Sequence, residues 1–256
     1  MTTEMLPRLD LPDYLSRLPL FQEMTPEELA RLAGGCRLRR FVRGEAVFRL
    51  GEPCEELHVV VSGQVKLFAL SPAGQEKVIE LIAPGQSFAE ALMFTDKPYI
   101  VNAQTLADSL VLSVSKAAVL AEIARDSRFA LRMLAGISRR LHGLIHDVQA
   151  YALHSGLQRV IGYLLRDLPE SSLDAAEMTL AAHRPAGIVP GGEAAEPQAC
   201  QIRLPVSKAT LASRLSLTPE YFSRVLRELE DQGLIRVEGR EICIPDAARL
   251  ARYPVN

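Results

Sequence analysis

The sequence predicts an α+β chain: an antiparallel β-roll, then one long helix, then a winged helix–turn–helix. Three observations carry this. From Leu38 to Val114 short apolar runs alternate with glycine turns. From Asp126 to His154 apolar residues recur three and four apart with no proline between them. From Val206 to Ile244 two capped helix starts are followed by a glycine-turned pair of short apolar runs.

Composition bounds what these elements can build. The 256 residues suffice for one large or two ordinary domains, and 48% hydrophobic with 23% charged residues describes a soluble globular chain. A net charge of −2 argues against a binder that is basic all over, but leaves room for one basic face. Cys36, Cys54, Cys200 and Cys243 show no close pairing of a zinc or cluster site, and fit a reducing cytoplasm. The N-terminus carries Glu4, Asp10 and Asp13 and no apolar signal stretch, and no run of 18 apolar residues exists, so no membrane span is expected. No Ser–His–Asp grouping, phosphate loop or paired-carboxylate arrangement appears, so an enzyme is not expected.

Taken in order, residues 11–33 read as helical, with Thr25 as cap, Pro26 at the first helical position and two glutamates in the first turn. The runs Ala46–Phe48, Leu57–Val61, Val65–Leu70, Val78–Ile82 and Leu110–Val114 read as strands, and Ser62-Gly63 as a tight hairpin between two of them. Ser115 to Ile123 is a short helix. Residues 1–125 thus form a first domain.

The helix over 126–154 places Leu134, Ile137, Leu141, Leu144, Val148 and Tyr151 on one seam, the a/d repeat of a coiled coil. A seam this narrow suits one straight partner helix, hence a homodimer; the competing reading is a core helix of a single larger domain. Residues 155–256 form the last domain. It opens with an amphipathic helix from Gly156 to Leu168, and 169–199, rich in Pro, Gly, Ala and Glu, reads as an exposed, mobile insertion.

The sharpest signal lies at 206–244. Ser207 caps a helix running to Leu215, Ser216-Leu217 breaks it, and Thr218-Pro219-Glu220 starts a second helix that Gly233 stops. Ser216 sits where such turns favour Gly for a positive φ. Leu234 to Ile244 supplies a two-stranded wing. The second helix sets Glu220, Ser223, Arg224 and Arg227 on one side. Arg224 can fork onto guanine, Glu220 can accept from cytosine and Ser223 can meet thymine, while Lys208, Arg214, Arg236 and Arg240 suit phosphates; Thr218 and Tyr221 complete the expected surface for double-stranded DNA. The competing reading is a charged helix in a winged protein-docking module.

Certain stretches together resemble the cyclic-AMP receptor protein and fumarate–nitrate regulator (CRP/FNR) family. They are Arg43–Glu52, Val60–Lys66, Pro84–Glu90 and Leu217–Arg224. The resemblance implies a cyclic-nucleotide-binding-like β-roll, a dimer helix, a winged reader and RNA polymerase as a partner. Glu90 matches the carboxylate of the cyclic-AMP binders, but 95–103 holds Lys97 and no Arg to fork the cyclic phosphate, so cyclic AMP is not expected. No cysteine precedes Cys36, so no iron–sulfur cluster is expected either. Glu220, Ser223 and Arg224 match the oxygen-regulator class, implying a palindrome close to TTGAT…ATCAA. Phe88 to Phe94 resembles the clusterless DNR-type regulators, implying an activator of denitrification genes that senses nitric oxide through haem. On that resemblance Phe88, Glu90 and Met93 line the effector pocket. His58, His142, His146 and His154 are the candidate iron ligands, with His183 in the insertion the poorest.

Overall fold

A computed structural model describes residues 9–18, 20, 21, 24–166 and 199–254. The chain divides into two compact units, Met1–Ile145 and His146–Asn256.

In the first unit α1 (Leu11–Ser16) and α2 (Pro26–Ala33) are separate helices rather than one run over 11–33. The break follows from the caps. Thr25 accepts from the Glu28 amide while the Glu28 carboxylate accepts from the Thr25 amide, a reciprocal box that fixes a new helix start. Eight strands follow: β1 (Cys36–Phe41), β2 (Ala46–Phe48), β3 (Glu56–Ser62), β4 (Val65–Leu70), β5 (Glu76–Ile82), β6 (Ser87–Phe88), β7 (Asn102–Thr105) and β8 (Ser109–Ser115). They pair antiparallel in two sheets, β1-β8-β3-β6 and β2-β7-β4-β5.

Ser62-Gly63 therefore does not close a hairpin. β3 and β4 lie in different sheets, and the dipeptide carries the chain from one to the other. The register of β3 on β8 shifts between Val60 and Ser62, and Gly63 has φ +83°. A Cβ there would stand 2.3 Å from Ser109 Oγ and 2.5 Å from the Asp108 carbonyl, so only glycine fits the corner.

Helix α3 (Lys116–Arg125), capped by Ser115, leads into α4 (Ser127–Leu153). The start of α4 belongs to the first core: Phe129 and Met133 are buried, and the Phe129 ring lies 6.1 Å from that of Phe21. Glu122 of α3 accepts two 2.9 Å hydrogen bonds from Arg31 of α2, and the guanidinium holds its carboxyl below the usual range. Beyond Met133 the apolar side chains change character. Leu134, Leu141 and Val148 are 58%, 55% and 65% exposed, and Leu131 and Ile145 are exposed beside them. Ile137 and Leu144 are half-buried. The side chain of Tyr151 lies outside the described residues.

The second unit holds α5 (Gly156–Arg166), β9 (Cys200–Arg203), α6 (Lys208–Arg214), α7 (Pro219–Asp231), β10 (Arg236–Glu238), β11 (Glu241–Ile244) and α8 (Ala247–Ala251). Ser155 and Gln158 form another reciprocal box at the start of α5. Val160, Ile161, Tyr163 and Leu164 are its buried face. Leu168 and the predicted insertion, apart from Ala199, lie outside the described residues. The wing has three strands, not two: β9 pairs along β11 with Ile202 opposite Ile242.

Candidate nucleic-acid interface

The reader is assembled from local caps. Ser207 accepts from the Thr210 amide at 3.1 Å to start α6, and Thr218 accepts from the Tyr221 amide at 3.2 Å to start α7, with Pro219 at the first helical position. Between them the Leu217 amide donates to the Ala212 carbonyl at 2.8 Å. Ala212 is buried, and its small side chain lets the helices approach. Ser216 takes φ +57°, the left-handed conformation that glycine adopts without cost. The turn is held from outside. Arg159 of α5 donates from Nη1 to the carbonyls of Leu215 at 2.6 Å and Ser216 at 3.3 Å. Sequence reasoning missed Arg159, because nothing local links position 159 to position 216.

Helix α7 buries Phe222, Val225, Leu226 and Leu229 and exposes the opposite side. Glu220, Ser223, Arg224 and Arg227 are all exposed, as the spacing predicts, and Thr218 stands exposed at the start of the helix. The Arg224 guanidinium lies 4.8 Å from the centre of the Tyr221 ring, a cation–π contact that limits its wandering. Ser223 donates to the Pro219 carbonyl at 2.9 Å, leaving its oxygen lone pairs outward. Lys208 and Arg214 are half-buried on α6, while Arg236 and Arg240 are exposed on the wing. The wing is tied to the helix: the Val237 amide donates to Glu230 at 2.9 Å, and Gly239, at φ +64°, turns the chain between β10 and β11.

The first unit places its predicted residues differently. Phe88 and Met93 are packed in the core, and Glu90 is buried with the Ser87 hydroxyl donating to it at 3.3 Å. None of the three lines the cleft of about 410 Å³ in this unit, whose walls include Arg37, Arg39, Phe48, Glu56, His58 and Tyr99. His58 is 2% exposed and has both ring nitrogens occupied, by Ser113 Oγ at 2.9 Å and Tyr99 Oη at 3.1 Å. Burial pushes its pKa down to about 4. Tyr99 stacks on Phe48 at 3.6 Å between ring centres. His58 is thus a buried histidine with both ring nitrogens hydrogen-bonded inside the fold. His142 and His154 are exposed; the side chains of His146 and His183 lie outside the described residues. Among the described residues no group of three or more His, Cys, Asp and Glu is gathered to hold a metal ion. No helix among them is long and apolar enough to cross a membrane.

The family model of the cyclic nucleotide-binding domain matches residues 38–126, and that of the Crp-like helix-turn-helix domain matches 158–253. The chain is 25% identical to the CRP-like cAMP-activated global transcriptional regulator of Mycobacterium tuberculosis, over 94% of this chain and 98% of that one. FixK2 from Bradyrhizobium japonicum superimposes with a TM-score of 0.67 at 20% identity, covering 86% of this chain and 98% of that one. DNR from Pseudomonas aeruginosa is 34% identical over 94% of this chain and 96% of that one, with a TM-score of 0.47. The relatives are regulators and not enzymes, and the two matched domains together account for most of the chain, which belongs to the CRP/FNR family of transcription regulators.

Proposed function

We propose that the protein is a homodimeric transcription activator that reads a TTGAT…ATCAA-like palindrome. One observation carries the reading: within a Crp-like helix-turn-helix domain, α7 exposes Glu220, Ser223, Arg224 and Arg227 together, with Arg224 already held over Tyr221. Arg224 donates two hydrogen bonds to O6 and N7 of guanine; Glu220 accepts from the amino group of cytosine. Lys208, Arg236 and Arg240 neutralise phosphates, which fixes register without adding specificity.

A palindrome needs two readers, roughly 34 Å apart on successive turns of the duplex. The exposed apolar stripe of Leu131, Leu134, Leu141, Ile145 and Val148 supports α4 as the surface on which a second copy packs. RNA polymerase is the partner that an activator of this family serves. Leu134→Lys with Leu141→Lys is expected to yield monomers in sedimentation and to lower affinity for the palindrome about a hundredfold, since the linked second reader is lost. A dimer that persists and binds as before excludes α4 as the interface.

The input is a small molecule sensed by the first unit. The resemblance of Phe88–Phe94 to the DNR-type regulators points to nitric oxide and haem. The described histidines do not fit haem: His58 is engaged at both nitrogens, and His142 and His154 stand in solvent. Tyr99 fills the interior nine residues after Glu90, in the stretch where a cyclic-AMP binder carries its phosphate-holding Arg, which agrees with a regulator that does not answer to cyclic AMP. Titration with haem separates the readings: a Soret band that shifts with nitric oxide supports the gas-sensing reading, and its absence removes it.

A further inference from the structure

Glycine at the first position of α5 has no conformational reason to be there. Gly156 lies outside the left-handed region, and the Ser155–Gln158 box already fixes the helix start. Alanine has the higher helix propensity. What Gly156 provides is space. A Cβ at this position would stand 2.5 Å from Tyr221 Cε1, 3.0 Å from Tyr221 Cζ and 3.0 Å from Leu217 Cδ2. The first of these is far inside van der Waals contact, so the Tyr221 ring is laid directly on the bare backbone of α5. The same ring carries Arg224.

We infer that Gly156 is a positioning residue for DNA reading: its missing side chain seats Tyr221, and Tyr221 in turn aims Arg224 at the base edge. The proposal rests on the DNA-reading function given above. Tyr221 is half-buried, so its ring, not the backbone, yields to an added methyl group. The expected result is a folded module with a misdirected arginine. Phosphate contacts from the wing are untouched, so loss falls on sequence preference and not on binding to DNA in general.

The test uses the full chain and two duplexes of equal length, the TTGAT palindrome and one with its G·C pairs replaced by A·T pairs. Fluorescence anisotropy at fixed salt gives the ratio of affinities, and thermal melting reports folding. Gly156→Ala is expected to lower the ratio about tenfold, the order of one bidentate guanine contact, with no fall in melting temperature. Tyr221→Ala is expected to lower it as well. In the Tyr221→Ala background, adding Gly156→Ala is expected to change the ratio less than about twofold, because the residue it acts through is gone. An unchanged ratio in Gly156→Ala, a melting temperature lowered by many degrees, or full additivity in the double variant overturns the seat while leaving DNA reading intact. A wild-type chain that prefers neither duplex overturns the DNA reading itself, and the seat with it.

Discussion

In the first unit the polar groups of His58, Tyr99 and Ser113 are engaged with one another, packed against Phe48 and Phe88. On α7 those of Glu220, Arg224 and Arg227 stand in solvent on a rigid helix. Both clusters join titratable and hydrogen-bonding side chains, but the first spends its bonding capacity inside the fold and the second turns it outward. A buried group whose donors and acceptors are all matched inside the fold stabilises one conformation. A group held in place but open at its outer end offers its bonding capacity to a partner.

Replacing the centre of each cluster tests this contrast. His58→Ala leaves a cavity and strands the Ser113 hydroxyl, and is expected to destabilise the first unit by about 3 kcal/mol in urea unfolding. The same histidine sets an acid limit. Its folded pKa of about 4 lies below the ordinary imidazole value. As pH falls from about 6.5 toward 4 the unfolded chain takes up a proton that the folded chain refuses. Stability is therefore expected to decline through that window, by up to about 3 kcal/mol, and His58→Gln should flatten the decline. If urea midpoints of the wild type are level between pH 7 and 4.5, His58 is not the buried neutral group described.

Arg224→Ala should behave oppositely. Affinity for the palindrome is expected to fall by about 2 kcal/mol, some thirtyfold, with an unchanged melting temperature. A variant that unfolds instead would place Arg224 among the structural groups.

A smaller effect sharpens the comparison. The left-handed region holds Ala89 at φ +69° and Asp96 at φ +51° in the first unit and Ser216 at φ +57° in the second, and Ala89 and Ser216 offer the comparison. Either change to glycine should stabilise its unit by about 1 kcal/mol by relieving the Cβ. Ser216→Gly is expected to gain less than Ala89→Gly, because Arg159 already holds the Leu215 and Ser216 carbonyls, while the larger unfolded ensemble of glycine trims both gains alike. Equal gains in calorimetry would show that the arginine does not bear on the turn.

What could be read from the chain alone follows the range of the interactions. The caps at Thr25, Ser207 and Thr218, the glycine stops and the polar face of α7 depend on residues within a few positions of one another, and all stand where the sequence puts them. Sheet partners do not: β3 and β4 adjoin in sequence yet part into two sheets, and β9 joins the wing from far upstream. His58 offered no signal of its burial, because its two hydroxyl contacts come 41 and 55 residues later. Arg159 and Gly156 escaped notice for the same reason, their contacts lying on the far side of a long stretch of chain.

The edge strand β9 has one more implication. It is zipped onto β11, so a strand that precedes α6 and one that follows α7 hold each other in one sheet, and the reader between them is closed on itself rather than hung from one end.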